Sequence, residues 1–99
     1  MHSDTLVAIL AYNEQKKISD VLTDVTKKFS NVLLVDNNSE DHTIQEAKKF
    51  KIFLIKHSYN LGKSESMKTA LEFAKIKKFR FLAFMDADGQ HRANDLIKV

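Results

Sequence analysis

Apolar and polar positions along this chain follow two periods in turn. Leu6-Val-Ala-Ile-Leu10 is a continuous apolar run of strand length and predicts a buried strand. From about Gln15 to Phe29, the residues Ile18, Val21, Leu22, Val25 and Phe29 recur at steps of three and four, which is one face of a helix. Val32-Leu-Leu-Val35 predicts a second strand that stops at Asp36-Asn37-Asn38-Ser39, a cluster suited to a turn and a cap. A short helix follows, with Ile44, Ala47 and Phe50 inward. Thr43 and Glu46 have capping-box spacing there, and Asp41 is a rival cap. Ile52-Phe-Leu-Ile55 predicts a third strand, and His57 to Lys63 a loop. A third helix, about Ser64 to Lys77, turns Met67, Ala70, Leu71 and Ala74 inward. Phe79 to Met85 predicts the fourth strand, and a last helix is expected from near Ala93.

Short apolar strands alternating with amphipathic helices imply an α/β fold with a parallel sheet of about four strands and right-handed crossovers. The chain is read as a single domain over residues 1–99. In such open sheets, ligands sit outside the carboxyl ends of the strands. With no strand beyond it, Phe79 to Met85 would be a bare apolar edge. Self-association of the chain through that edge is therefore expected, unless the chain is a fragment of a longer one.

The chemistry gathers at those strand ends. The first strand leads to Tyr12, Asn13 and Glu14, and the second to Asp36, Asn37 and Asn38. The fourth leads to Asp86-Ala87-Asp88-Gly89-Gln90-His91. Carboxylates at i and i+2 can point the same way at a strand end. Two hard oxygen donors aimed at one point suit Mg²⁺ or Mn²⁺, which bring diphosphates with them. Taken singly, each cluster is also ordinary turn and cap chemistry; together they suggest three loops converging on one ligand. His91 is a third candidate ligand or proton donor, or a plain loop histidine. Tyr12 suits stacking on a base as well as simple packing. His2, His42 and His57 are assigned no role.

Competing motifs fit less well. The haloacid-dehalogenase phosphatases use Asp-x-Asp-Gly-Thr after the first strand, whereas here the motif closes the fourth and Gln90 follows the glycine. An EF-hand loop needs further oxygen ligands and a twelfth-position Glu that this spacing does not supply. Gly62-Lys63-Ser64 imitates the end of a Walker A loop, but His57 occupies the place of its first glycine. With Gly62 and Gly89 as the only glycines, the dinucleotide-binding Gly-x-Gly-x-x-Gly cannot form. Lys63 suits a phosphate as a point charge, and equally suits solvent in a first helical turn.

Charge and composition narrow the classes. The net charge is +3, and many lysines fall at predicted helix ends, where they complement the helix dipole. No basic stripe interleaves with aromatics, so a nucleic-acid partner is not expected; weak attraction to an anionic membrane face is the other reading of the charge. The chain has no cysteine, so it can form neither a disulfide framework nor a thiolate metal site. No apolar stretch approaches the roughly 20 residues that span a bilayer, and the first residues lack the basic and apolar regions of a signal peptide. A cytoplasmic chain, peripheral at a membrane face at most, is the expectation.

Four segments resemble motifs of the family 2 glycosyltransferases of GT-A fold, above all the branch that makes dolichyl or polyprenyl phosphate sugars. Leu10-Ala-Tyr-Asn-Glu14 resembles Pro-Ala-Tyr-Asn-Glu, and Val35-Asp-Asn-Asn-Ser-Glu-Asp-His-Thr43 resembles Val-Asp-Asp-Gly-Ser-x-Asp-Gly-Thr. Asn60-Leu-Gly-Lys63 resembles Asn-x-Gly-Lys, and Asp86-Ala-Asp-Gly-Gln-His91 resembles that branch's metal motif. The resemblance implies a three-layer Rossmann-like fold and a nucleotide-diphospho-sugar donor, UDP- or GDP-hexose. It implies that Ala11, Tyr12, Glu14, Asp36, Asn37, Lys63, Asp86 and Ala87 line the donor site. Asp88, with Gln90 and Asp86, would hold Mg²⁺ or Mn²⁺ on the diphosphate. A polyprenyl phosphate is the implied acceptor. The acceptor-binding half would follow Val99, so no catalytic residue is assigned, and the chain alone is expected to be inactive. A binding module without catalysis and a metal-dependent phosphotransfer domain are the alternatives. Three departures stand out. Leu10 replaces Pro, Asn37 and Asn38 replace Asp and Gly, and Ser64-Glu65-Ser66 replaces a smaller, glycine-rich helix start.

Overall fold

The computed structural model describes residues 4–87 and 94–99. In chain order the elements are β1 (Thr5–Ala11), α1 (Ile18–Lys28), β2 (Val32–Asp36), α2 (Thr43–Ala47), β3 (Phe53–Lys56), α3 (Lys63–Ile76), β4 (Phe81–Asp86) and β5 (Asn94–Lys98). The strands form one sheet in the order β3-β2-β1-β4-β5. The first four run parallel, and β5 runs antiparallel to β4.

Each central strand is apolar on both faces because helices cover both. In β1, Val7, Ile9 and Ala11 join Ile18, Val21, Leu22 and Val25 of α1 in one core. Leu6 and Ala8 join Ala70 and Ala74 of α3 in the other. β2 divides the same way, with Val32 and Leu34 toward α1 and Leu33 and Val35 toward α3. In β4, Ala83 and Met85 face α1 while Leu82 and Phe84 face α3. This alternation follows from the two-residue period of a strand. It yields a helix–sheet–helix sandwich whose cores are separated by the sheet itself.

The faces of α1 and α3 match the expected ones, whereas on α2 Thr43 is buried with Ala47, and Ile44 is only half-buried. Ile18, Val21, Leu22 and Val25 are buried, with Phe29 packed against them. On α3 the alanines lie against the sheet, and Met67, Leu71 and Phe73 flank them. Neither expected cap holds at α2, where His42 takes the cap position without a side-chain capping hydrogen bond. Thr43 is the first helical residue rather than the cap, and its amide donates to Asp41 Oδ1 at 2.9 Å.

The chain end departs from expectation. Asn94–Lys98 forms a strand where a helix was predicted to begin near Ala93, which itself lies outside the described residues. So short a segment cannot display a helical period, and the open side of β4 supplies a partner. Phe81 pairs with Lys98 and Leu82 with Ile97, with an irregularity before Phe84 meets Asn94. The sheet therefore has five strands rather than four. β4 is interior rather than a bare edge, and this removes the premise for self-association through it. The exposed edges are β3 and β5.

Candidate donor-site cleft

In-register pairing brings three strand ends to one level. Leu10 pairs with Asp86, and Ala11 with Asp36. The ladder then runs on into the loops. The Asn37 amide donates to the Ala11 carbonyl at 2.9 Å, and the His57 amide to the Asp36 carbonyl at 2.8 Å. Beyond these ends, on the α3 side, lies a cleft of about 280 Å³. Leu10, Ala11 and Tyr12 line it from β1, Asn37 from β2 and Asp86 from β4. Asn60, Gly62, Lys63 and Ser66 close it from the loop before α3 and that helix's first turn.

Strand alternation decides which polar residue meets the cleft. Asp36 continues the Val32 and Leu34 parity, toward α1, and is fully buried. Its carboxylate accepts from the Ser39 amide and hydroxyl and holds the turn together. Asn37 follows with the opposite parity and reaches the cleft. Its Oδ1 accepts from the Leu61 amide at 2.8 Å and lies 3.3 Å from His57 Nδ1. Its Nδ2 donates to Asn60 Oδ1 at 2.7 Å. Asn38 takes the left-handed conformation (φ 66°) that stands in for the motif's glycine.

Lys63 begins α3, where the helix dipole disfavours a cation. The carboxylate of Asp86 compensates, with Lys63 Nζ 3.3 Å from Asp86 Oδ1. Both side chains are about half exposed or more, so this pair contributes no more than about 1 kcal/mol. It is weak enough to exchange for a ligand. Glu65 pairs instead with Lys68, away from the cleft.

The remaining sequence-predicted site residues fall elsewhere. Glu14 lines a separate depression with Asn13, Gln15, Lys16, Lys17 and Asp41. That hollow is larger, about 420 Å³, but the Asp41 carboxylate in it is already committed to the Thr43 amide and hydroxyl and to the Gln15 amide. Desolvation works against the ionised form of Asp41, yet these hydrogen bonds prevail and hold its carboxyl below the ordinary value of 3.8. Ala87 is buried in the α1-side core. Asp88, Gln90 and His91 lie outside the described residues. Among the described residues no group of three or more acidic or histidine side chains is placed to share a metal. Asp86 is the described carboxylate at the cleft, and its hard oxygens fit Mg²⁺ or Mn²⁺.

Sequence reasoning passed over three residues here. His57 follows β3 at the same sheet edge, so the third strand also delivers a polar group. It is nearly buried, and its Nε2 lies 2.8 Å from Thr69 Oγ1. Asn60 braces both Asn37 and the Gly62 amide. Ser66 is 2% exposed, and its hydroxyl oxygen has no partner. A histidine two residues after a predicted strand was the available signal for the first.

The chain belongs to glycosyl transferase family 2, whose profile matches residues 6–99. It is 29% identical over 117 aligned positions to the UDP-N-acetylglucosamine–dolichyl-phosphate N-acetylglucosaminyltransferase of Methanococcus voltae, covering 98% of this chain and 47% of that protein. Its fold superposes on S. aureus TarS (residues 1–349) with a TM-score of 0.74 at 26% identity, over 85% of this chain and 27% of that one. The glucosyl-3-phosphoglycerate synthase of Mycobacterium tuberculosis, solved with Mn²⁺, UDP and glucosyl-3-phosphoglycerate, shares the fold. There the TM-score is 0.66 at 18% identity, over 84% of this chain and 33% of that one. The chain spans between 39% and 47% of the length of the curated relatives it matches. Among the described residues no helix is long and apolar enough to cross a membrane.

Proposed function

We propose that this chain is the donor-binding half of a glycosyltransferase and that the cleft holds a nucleotide-diphospho-sugar. The observation that carries this reading is the convergence of Tyr12, Asn37, Lys63 and Asp86 on one cleft at the carboxyl ends of β1, β2 and β4. Tyr12 is 40% exposed and offers a face for a base to stack on. Asn37 is placed to hydrogen-bond the base. Lys63 leaves Asp86 to meet a phosphate, which frees the carboxylate. Asp86, together with Asp88 and Gln90, would hold Mg²⁺ or Mn²⁺. Such an ion supplies charge neutralisation on the leaving nucleoside diphosphate. The acceptor, for which the dolichyl-phosphate relative suggests a polyprenyl phosphate, would meet the remainder of a longer protein.

Calorimetric titration with UDP-glucose and GDP-mannose, with Mn²⁺ and with chelator, tests this. Metal-dependent binding of a donor, weakened in Asp86→Ala and in Lys63→Ala, is the expected result. No binding of either donor by a chain that retains its circular dichroism would refute the proposal.

A further inference from the structure

Among the described residues, the two charged side chains that line the cleft pair with each other, Lys63 Nζ lying 3.3 Å from Asp86 Oδ1. Their backbones hold them differently. Asp86 ends β4 in register with Leu10 of the central strand, so the sheet fixes its place. Lys63 opens α3 and reaches across on a flexible four-carbon stem, with its side chain 66% exposed. The lysine is the member that can move. Its sequence neighbour Glu65 is no rival for it, because Glu65 pairs with Lys68 at 3.3 Å. Asp86 is therefore the carboxylate that holds Lys63, at a helix start whose dipole disfavours a cation.

Given the donor reading above, we propose that this pair is a latch: Lys63 competes with a divalent cation for Asp86, and Asp86 competes with a phosphate for Lys63. A cation that takes the carboxylate expels the ammonium and leaves it beside a like charge. A diphosphate that takes the ammonium leaves the carboxylate facing another anion. When both ligands arrive, each parted side chain has a new counter-charge, and the pair is broken once for the two. The ion and the diphosphate are thereby coupled, and the coupling is reciprocal. Direct contact between the two ligands would couple them as well. Only the latch predicts that losing one binding residue improves binding of the other residue's ligand.

The test reads each ligand alone on the full chain. Free Mn²⁺ is followed by its electron paramagnetic resonance signal, and pyrophosphate by calorimetry in the presence of chelator. Lys63→Met is expected to bind Mn²⁺ about two- to fivefold more tightly than the unaltered chain, the range that a half-exposed ion pair allows. Asp86→Asn should gain a similar factor for pyrophosphate. Lys63→Arg keeps the charge and should leave Mn²⁺ affinity near that of the unaltered chain. With Mn²⁺ and UDP-glucose or GDP-mannose together, the sign reverses and both neutral variants bind more weakly. Equal or lower affinity for the lone ligand in either neutral variant would overturn the latch, while donor binding by the unaltered chain would keep the donor site in place. Failure of a folded, unaltered chain to bind Mn²⁺, pyrophosphate or either donor would instead overturn the donor reading, and the latch with it.

Discussion

Two adjacent residues, Asp36 and Asn37, end the same strand and do different work. The strand's alternation sends the carboxylate under the turn, to Ser39, and the amide into the cleft. Gly62 shows a different constraint. Its φ of 86° with ψ of 166° lies where side-chain-bearing residues are strained, although nothing lies within 4 Å of the position a Cβ would take. Gly62→Ala is therefore expected to cost about 1–3 kcal/mol through the backbone alone, read by urea denaturation. Asp41 makes a pH prediction. Its folded carboxyl titrates below 3.8, the ordinary value, so its hydrogen bonds stabilise the fold above that pH and cease to as pH falls through the folded value. Stability curves of the unaltered chain and Asp41→Asn should differ near neutrality and converge as the pH drops below 3.8. Asn37, Lys63 and Asp86, which line the cleft, were legible as candidates from their motifs. His57 and Ser66 were not, because their partners, or the lack of them, depend on residues distant in sequence.

Among the elements, helix periodicity carried most of the information. The spacing of Ile18, Val21, Leu22 and Val25 names the buried face of α1 without knowledge of what covers it. Leu22 is fully buried at the centre of that contact; Leu22→Ala should destabilise by about 2–5 kcal/mol in chemical denaturation, with the fold retained. α3 meets the sheet through Ala70 and Ala74, both fully buried. Small residues there let the helix approach closely, so Ala70→Leu should cost about 1–3 kcal/mol by overpacking. The same substitution would displace the first turn of α3, and with it Lys63, so weaker donor binding should accompany the lost stability. The strands were legible as apolar runs. Their limits shifted by one or two residues because pairing, rather than hydrophobicity, sets where a ladder stops.

For the molecule as a whole, the sheet order decides both exposure and site. β1 and β4 are interior, and β5 shields the outer side of β4. Removing residues 94–99 should bare Phe81 to Phe84 as an edge and drive concentration-dependent association in sedimentation; the unaltered chain should show less. Local pattern by itself determined the alternation of strands and helices, their buried faces, the family motifs and the gathering of polar residues at strand ends. Those follow from the partition of side chains within a few residues of one another. Only the tertiary structure decided that the last segment is a strand, that Asp36 turns from the cleft while Asn37 enters it, and that Asn37, His57 and Asn60 lock into one network. The network hangs on contacts across 20 or more positions, and the last strand on its pairing with β4. They are settled by which helix covers which face of the sheet and which strand lies beside which, and no single stretch of the chain encodes that.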